Sequence, residues 1–212
     1  FQLSSRYNEK MFEEVSQVLD ELEEEILDYI NGVEREEPAA AARGTAFNEL
    51  VDYLMDYDLN ELLDHAVLHN ETTLTQDYHG KTYLFSPVNT IAKVVDRVKG
   101  MTKQEYVSAH FDVMGADVEL HGYPDYIFPT MIWDLKTTTK YDFGKYENNW
   151  QRFVYPYIAV KTGIMTECER FTFYALTMTN DNGVLTGKPN AETYDCNYYH
   201  DGYIIDDMLA TM

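Results

Sequence analysis

Two short segments decide the fold: Gly122-Tyr123-Pro124-Asp125-Tyr126-Ile127, and then Ile132-Trp133-Asp134-Leu135-Lys136-Thr137. Both are rich in aromatic and β-branched residues and are separated by the Pro129-Thr130 break, so they read as neighbouring strands. Alternate residues of a strand share a face, so Asp134 and Lys136 point the same way. Asp125, on the strand before, can lie across from Asp134. Charged groups set among Ile132, Trp133 and Leu135 are poor choices for a purely structural strand. Two carboxylates brought together resist ionising unless a divalent cation sits between them. Magnesium or manganese would suit such a pair, polarise a phosphoryl oxygen and lower the pKa of a bound water. Lys136 would then orient that water, help deprotonate it, or balance charge on a pentavalent transition state. The fragments alone also admit a bland account. Asp-x-Lys triplets are common, Asp125 can be a turn residue beside Pro124, and Lys136 can be a strand-end charge paired with Asp134.

Working outward, the pattern predicts strands over about 105–113, 117–127 and 131–137, then a helix over about 148–161 closed by Gly163. A further strand is expected at 171–178, a turn at Asn180-Asp181-Asn182-Gly183, and a last strand in the tyrosine-rich 194–203 followed by a short helix. Upstream, helical periodicity predicts helices over 7–30 and 43–69, the second with a break near Asp58. A linker is expected over 34–42, a loop over 70–80, a strand at 82–85, and a helix from Ser86-Pro87 to Lys99 ended by Gly100. The order implies an α/β or α+β class: a central mixed sheet flanked by helices, as one domain over 38–212, with an extra acidic N-terminal helical arm over 1–37.

Taken together, these motifs resemble the PD-(D/E)XK nuclease superfamily, in its RecB-like and lambda-exonuclease-like branch. The carrying residues are Pro124-Asp125, then Asp134-Leu135-Lys136, with Thr137-Thr138 after the lysine and Gly122 before the first acid. Gln151 and Tyr155 follow at i and i+4 on one face of the next helix, in the branch's order. Arg43-Gly44-Thr45-Ala46-Phe47-Asn48-Glu49-Leu50 is similar to its upstream helical motif, except that Asn48 stands where relatives carry His. The resemblance covers about 43–178 and implies a restriction-endonuclease-like core. It implies Glu49, Asp125, Asp134 and Lys136 as catalytic residues, with Mg2+ or Mn2+ held at Asp125, Asp134, Leu135 and Glu49. Gln151, Tyr155, Arg43 and Tyr141 are the implied substrate contacts. The implied activity is that of a metal-dependent deoxyribonuclease, an exonuclease hydrolysing phosphodiester bonds at duplex ends or on single strands, in recombination or repair and in a phage or bacterial setting. The competing account of Glu49 is a solvated helix residue.

Composition bears on this from both sides. The 212 residues carry a net charge of -21, which argues against a phosphate-rich partner. The charge is uneven, however. Residues 1–37 hold 12 acidic and 3 basic side chains, whereas 81–103 hold five basic against one acidic and 136–161 five against two. A local positive groove is compatible with an acidic whole, because screening acts over about 8–10 Å. Tyr141 and Tyr146, just after Lys136, are the tyrosines best placed to stack on bases, although tyrosines more often line cores. Cys168 and Cys196 cannot supply an iron–sulfur cluster, which takes four cysteines, and read as two reduced thiols. No apolar run is long enough to span a membrane, and Phe1–Ser5 lack a signal-peptide pattern, so a cytoplasmic location is expected. Two other functions compete. One is a PD-(D/E)XK fold that has weakened as a catalyst and serves as a DNA-binding or assembly module. The other is an acidic interaction or DNA-mimic protein. The apolar stripe of the 7–30 helix would suit a homo-oligomer or a recombination partner.

Overall fold

The computed structural model describes residues 37–57, 68–70, 72–179 and 183–210. The arm over 1–37, apart from its last residue, lies outside them, as do Leu62, Leu63 and Ala66 of the expected second helix.

The first helix, α1 (Ala39–Leu54), begins earlier than expected. The Ala39–Ala42 run assigned to a linker is absorbed into the helix, alanine having the highest helix propensity. Its face of Ala46, Phe47, Leu50, Val51 and Leu54 is buried. Two strands follow where a helix end and a loop were expected, β1 (Leu68–Asn70) and β2 (Thr73–Tyr78), and then the expected strand, β3 (Lys81–Phe85), with β2 paired antiparallel to both neighbours. The polar sequence of β2 hid it, since Leu74 is its one buried residue. The turn of the β2–β3 hairpin is His79-Gly80, both with positive φ, as a two-residue hairpin loop requires. Helix α2 (Val88–Val98) starts one residue later than expected, with Pro87 as its N-cap. It buries Val88, Ile91, Val94, Val95 and Val98 and stops before Gly100, whose φ is +85°.

The central sheet has five strands in the order β10–β9–β8–β7–β4, formed by β4 (Thr102–Lys103), β7 (Tyr126–Phe128), β8 (Met131–Thr138), β9 (Arg170–Thr177) and β10 (Asn190–Asp195). Strands β8 and β9 are parallel and every other pair is antiparallel, so the sheet is mixed. The strand expected over 117–127 is in fact two. Residues Ala116–Gly122 form β6, which pairs with β5 (Val107–Val113) as a separate hairpin, and the chain breaks at Tyr123-Pro124-Asp125 before β7 joins the main sheet. Proline has no N–H to offer a ladder, which accounts for the break. Helix α3 (Gln151–Lys161) connects β8 to β9. The tail departs from expectation as well: β10 ends at Asp195, and Tyr198–Ala210 is helix α4.

Two cores lie on opposite faces of this sheet. On one, Tyr126, Leu135, Tyr174 and Leu176 meet α1, α2 and the β2–β3 hairpin. On the other, Ile127, Ile132, Phe171, Phe173 and Ala175 meet the β5–β6 hairpin, Ile158 and Ala159 of α3, and Ile205 and Leu209 of α4. The protein is thus a mixed α/β fold with a central mixed sheet flanked by helices. No helix among the described residues is long and apolar enough to cross a membrane.

Candidate active site

Strand β8 carries the centre of the site. Its odd-numbered Trp133 and Leu135 join the α1 side, which turns Asp134 and Lys136 to the α3 side, as period-two alternation predicts. Asp134 is 2% exposed. Its Oδ2 lies 2.6 Å from Lys136 Nζ, an ion pair. The ammonium also sits 5.9 Å from the centre of the Phe173 ring.

Asp125 stands at the break before β7. The β7–β8 register pairs Tyr126 with Trp133, so one further step places Asp125 opposite Asp134. The carboxylate is fixed by backbone as well: Leu135 N–H donates to Asp125 Oδ2 at 2.7 Å. Burial, then the Asp134 charge, push the Asp125 carboxyl up to about 7, against the pull of the Leu135 N–H and Lys136. Burial likewise raises Asp134, with Lys136 opposing.

Helix α1 approaches β8 closely. A Cβ on Gly44 would stand 2.8 Å from Thr137 Oγ1, so the missing side chain permits the crossing. This crossing delivers Asn48, whose Nδ2 lies 3.4 Å from Asp125 Oδ2 and whose Oδ1 is buried without a hydrogen-bond partner. Glu49, one residue on, is exposed and accepts from Gln76 Nε2 of β2 at 3.3 Å. The structure therefore brings Asn48, Asp125, Asp134 and Lys136 together and gives Glu49 a different neighbour. Among the described residues, no three His, Cys, Asp or Glu side chains group closely enough to form a metal cluster. Arg43 is buried in α1.

The expected substrate contacts divide. Gln151 Nε2 donates to Tyr155 Oη at 3.2 Å, so this helical pair is joined. The Tyr155 ring fills the space beside Gly122, where a Cβ would lie 2.5 Å from Cε1. Tyr146 is buried and stacks on Phe173 with ring centres 4.9 Å apart, which removes it from base stacking. Burial, Glu192 and the Asp134 charge push its phenol up to about 12. Tyr141 binds Glu192 through its hydroxyl.

Three features escaped the sequence. Glu192 of β10, 4% exposed, accepts from Tyr194 Oη at 2.6 Å and from Gly144 N–H at 3.2 Å, and also from Tyr141 and the Tyr146 backbone. Burial pushes it up, but these donors outweigh burial and hold it below the usual carboxylate range. It thereby fastens the loop that follows Lys136. Asp52 accepts from buried Tyr126 Oη at 2.9 Å, and Gln104 binds both Asp52 and Asp125. Two of the basic residues expected to line a groove are occupied at the end of α1. Lys103 Nζ donates to Asp52 O at 2.7 Å and meets Asp56, and Lys99 Nζ donates to Tyr57 O at 3.0 Å, the usual service of a cation at a helix C-terminus. Apart from the bond between Tyr194 and Glu192, these contacts follow no local pattern, since they join residues at least 21 positions apart.

No family model and no curated protein matches the chain. Among solved structures, the crystal structure of SSO0001 is similar with a TM-score of 0.40 and 12% identity, over 93% of this chain and 87% of that one. A likeness at this level assigns neither a fold family nor a function.

Proposed function

We propose that the protein is a metal-dependent nuclease with a restriction-endonuclease-like core of the PD-(D/E)XK type, hydrolysing phosphodiester bonds in DNA. The observation that carries this reading is the pair of confined acids. Asp125 and Asp134 face each other across β7 and β8, one raised to about 7, with Lys136 beside them and the unpartnered Asn48 Oδ1 next to Asp125. Burying two carboxylates costs stability that a structural role does not recover. A hard divalent ion removes that cost, and the oxygens present suit magnesium or manganese. Asp125, Asp134 and the Leu135 position would hold it, and rotation of the Asn48 amide would add a neutral oxygen. Bound there, such an ion supplies charge neutralisation at a phosphoryl oxygen and a more acidic water. Lys136 then serves to orient the attacking water or to stabilise charge developing on the phosphorane. The Asp125 backbone contact and the Glu192-fastened loop keep these groups in place.

A second reading has one observation in its favour. With Asn48 beside Asp125 and Glu49 turned to Gln76, neither of these two α1 positions adds a carboxylate to the pair. This suits a weakened catalyst that binds DNA without turning it over efficiently. Incubation of end-labelled duplex and single-stranded DNA with Mg2+, Mn2+ or EDTA separates the two. Metal-dependent cleavage that Lys136→Ala abolishes supports the nuclease. DNA binding without cleavage in any metal supports the module, and neither binding nor cleavage removes both.

A further inference from the structure

We propose that Cys168 and Cys196 form a thiol–disulfide exchange site that reacts with small disulfides, such as oxidised glutathione, and ends as an internal disulfide. The two sulfurs are 3.7 Å apart, and both residues are half-buried free thiols. A disulfide needs about 2.05 Å, a closure within reach of side-chain rotation when the backbones are already adjacent. They are adjacent here: Arg170 pairs with Asp195 at the end of the β9–β10 ladder, and Cys196 N–H donates to Glu169 O at 2.9 Å just beyond it. The pairing is therefore held by sheet hydrogen bonds, although 28 positions separate the residues in sequence.

The two thiols are not equivalent. Hydrogen bonding with Cys196 holds the Cys168 thiol below the usual range, with help from backbone groups of Arg170 and Ile132 and against burial. The same contact, with burial, pushes Cys196 up. Cys168 is thus the sulfur that attacks first, since the thiolate is the nucleophile. The Cys168 thiolate forms a bond to one sulfur of the small disulfide, and the other sulfur leaves as a thiolate. Cys196 then gives up its proton and attacks Cys168 Sγ, expelling the second half as a thiolate. Two protein thiols are oxidised and one small disulfide is reduced to two thiols, the two leaving thiolates taking up, through solvent, the protons that the cysteines gave up. The product ties the start of β9 to the end of β10, the strand that carries Glu192. A bridge closing a loop of this length restricts the unfolded chain.

The test is titration of the full chain in glutathione buffers of rising oxidised fraction, followed by acid quench, maleimide alkylation and intact mass. The expected result is loss of both alkylatable thiols together, with the mass of two hydrogens, and a Tm higher by about 5–10 °C in the oxidised form. Cys196→Ser should accumulate a glutathione adduct at Cys168, and Cys168→Ser should acquire its adduct at least tenfold more slowly. Thiols that stay alkylatable in the most oxidising buffer overturn the proposal, as does stepwise loss that ends in two separate adducts. Equal rates in the two variants overturn the assigned order of attack.

Discussion

Leu135 N–H holds Asp125 Oδ2 at 2.7 Å, while the next side chain back along the same strand, Asp134, repels it. The main chain of β8 thus confines an acid that a side chain of β8 makes reluctant to ionise. A consequence for stability follows from the raised carboxyl. Between pH 3.8 and about 7 the unfolded chain releases this proton and the folded chain keeps it, so stability falls as pH rises through that window and levels off above it. Asp52, Asp134 and Asp201 are raised as well and act with the same sign. The difference between wild type and Asp125→Asn isolates Asp125. Melting curves in EDTA from pH 4 to 8 should show a shallower decline in the variant, and parallel profiles would refute the assignment.

At the 48–49 step helix α1 turns the Asn48 amide, and not the Glu49 carboxylate, to Asp125, which makes Asn48 and not Glu49 the position to alter. Asn48→Asp should place a third acid at the pair. Without metal the repulsion lowers Tm, and with millimolar magnesium the variant should gain more stability than the wild type does. Glu49→Ala, removing an exposed side chain bound to Gln76, should change stability by no more than about 0.5 kcal/mol. A folded Glu49→Ala protein that has lost magnesium stabilisation would show that α1 turns Glu49 inward when the ion binds.

Much of this arrangement was legible in the sequence because it is local. The alternation of Ile132, Asp134 and Lys136 against Trp133 and Leu135 fixed the faces of β8, and the i, i+4 spacing of Gln151 and Tyr155 fixed their contact. What escaped depends on partners distant in the chain. Strand β2 lacks an apolar stripe because one residue, Leu74, anchors it to the core, and its pairing with β3 supplies the rest. The direction of Glu49 follows from the approach of α1 to β8 at Gly44 and Thr137, which helical periodicity does not report. The 3.7 Å approach of Cys168 to Cys196 is set by the β9–β10 register, which no spacing between cysteines reveals.

Gly122 and Tyr155 occupy one volume. A Cβ at 122 would stand 2.5 Å from the Tyr155 ring, too close to be absorbed without moving it. Gly122→Ala should therefore cost about 1–3 kcal/mol, as overpacking does. It should also weaken the Gln151–Tyr155 contact. The cost should shrink in a Tyr155→Leu background, because the clashing ring is gone, and a double-mutant cycle on denaturant unfolding measures the coupling. Additive effects would mean that the ring yields freely.

Glu192 binds the loop after β8 from the opposite side of the sheet order. Its carboxylate takes donors from Tyr194, Gly144, Tyr141 and the Tyr146 backbone, so every one of them needs an acceptor. Glu192→Gln keeps the volume but turns an amide NH2 toward donors, leaving at least one buried N–H or O–H unpaired at a cost of about 1–3 kcal/mol. Because the folded carboxyl lies below its ordinary value of 4.5, the stabilisation is present above that pH and fades as acid titrates it. The variant's deficit should accordingly be full at pH 7 and narrow below 4.5. The loop carries the exposed Lys140 and also Lys145, which donates to Thr138 Oγ1 at 2.7 Å. Releasing the loop should speed trypsin cleavage after both lysines in Glu192→Gln under conditions where the rest of the chain stays folded. Cleavage at the wild-type rate would mean that the stacking of Tyr146 on Phe173 holds the loop without the carboxylate.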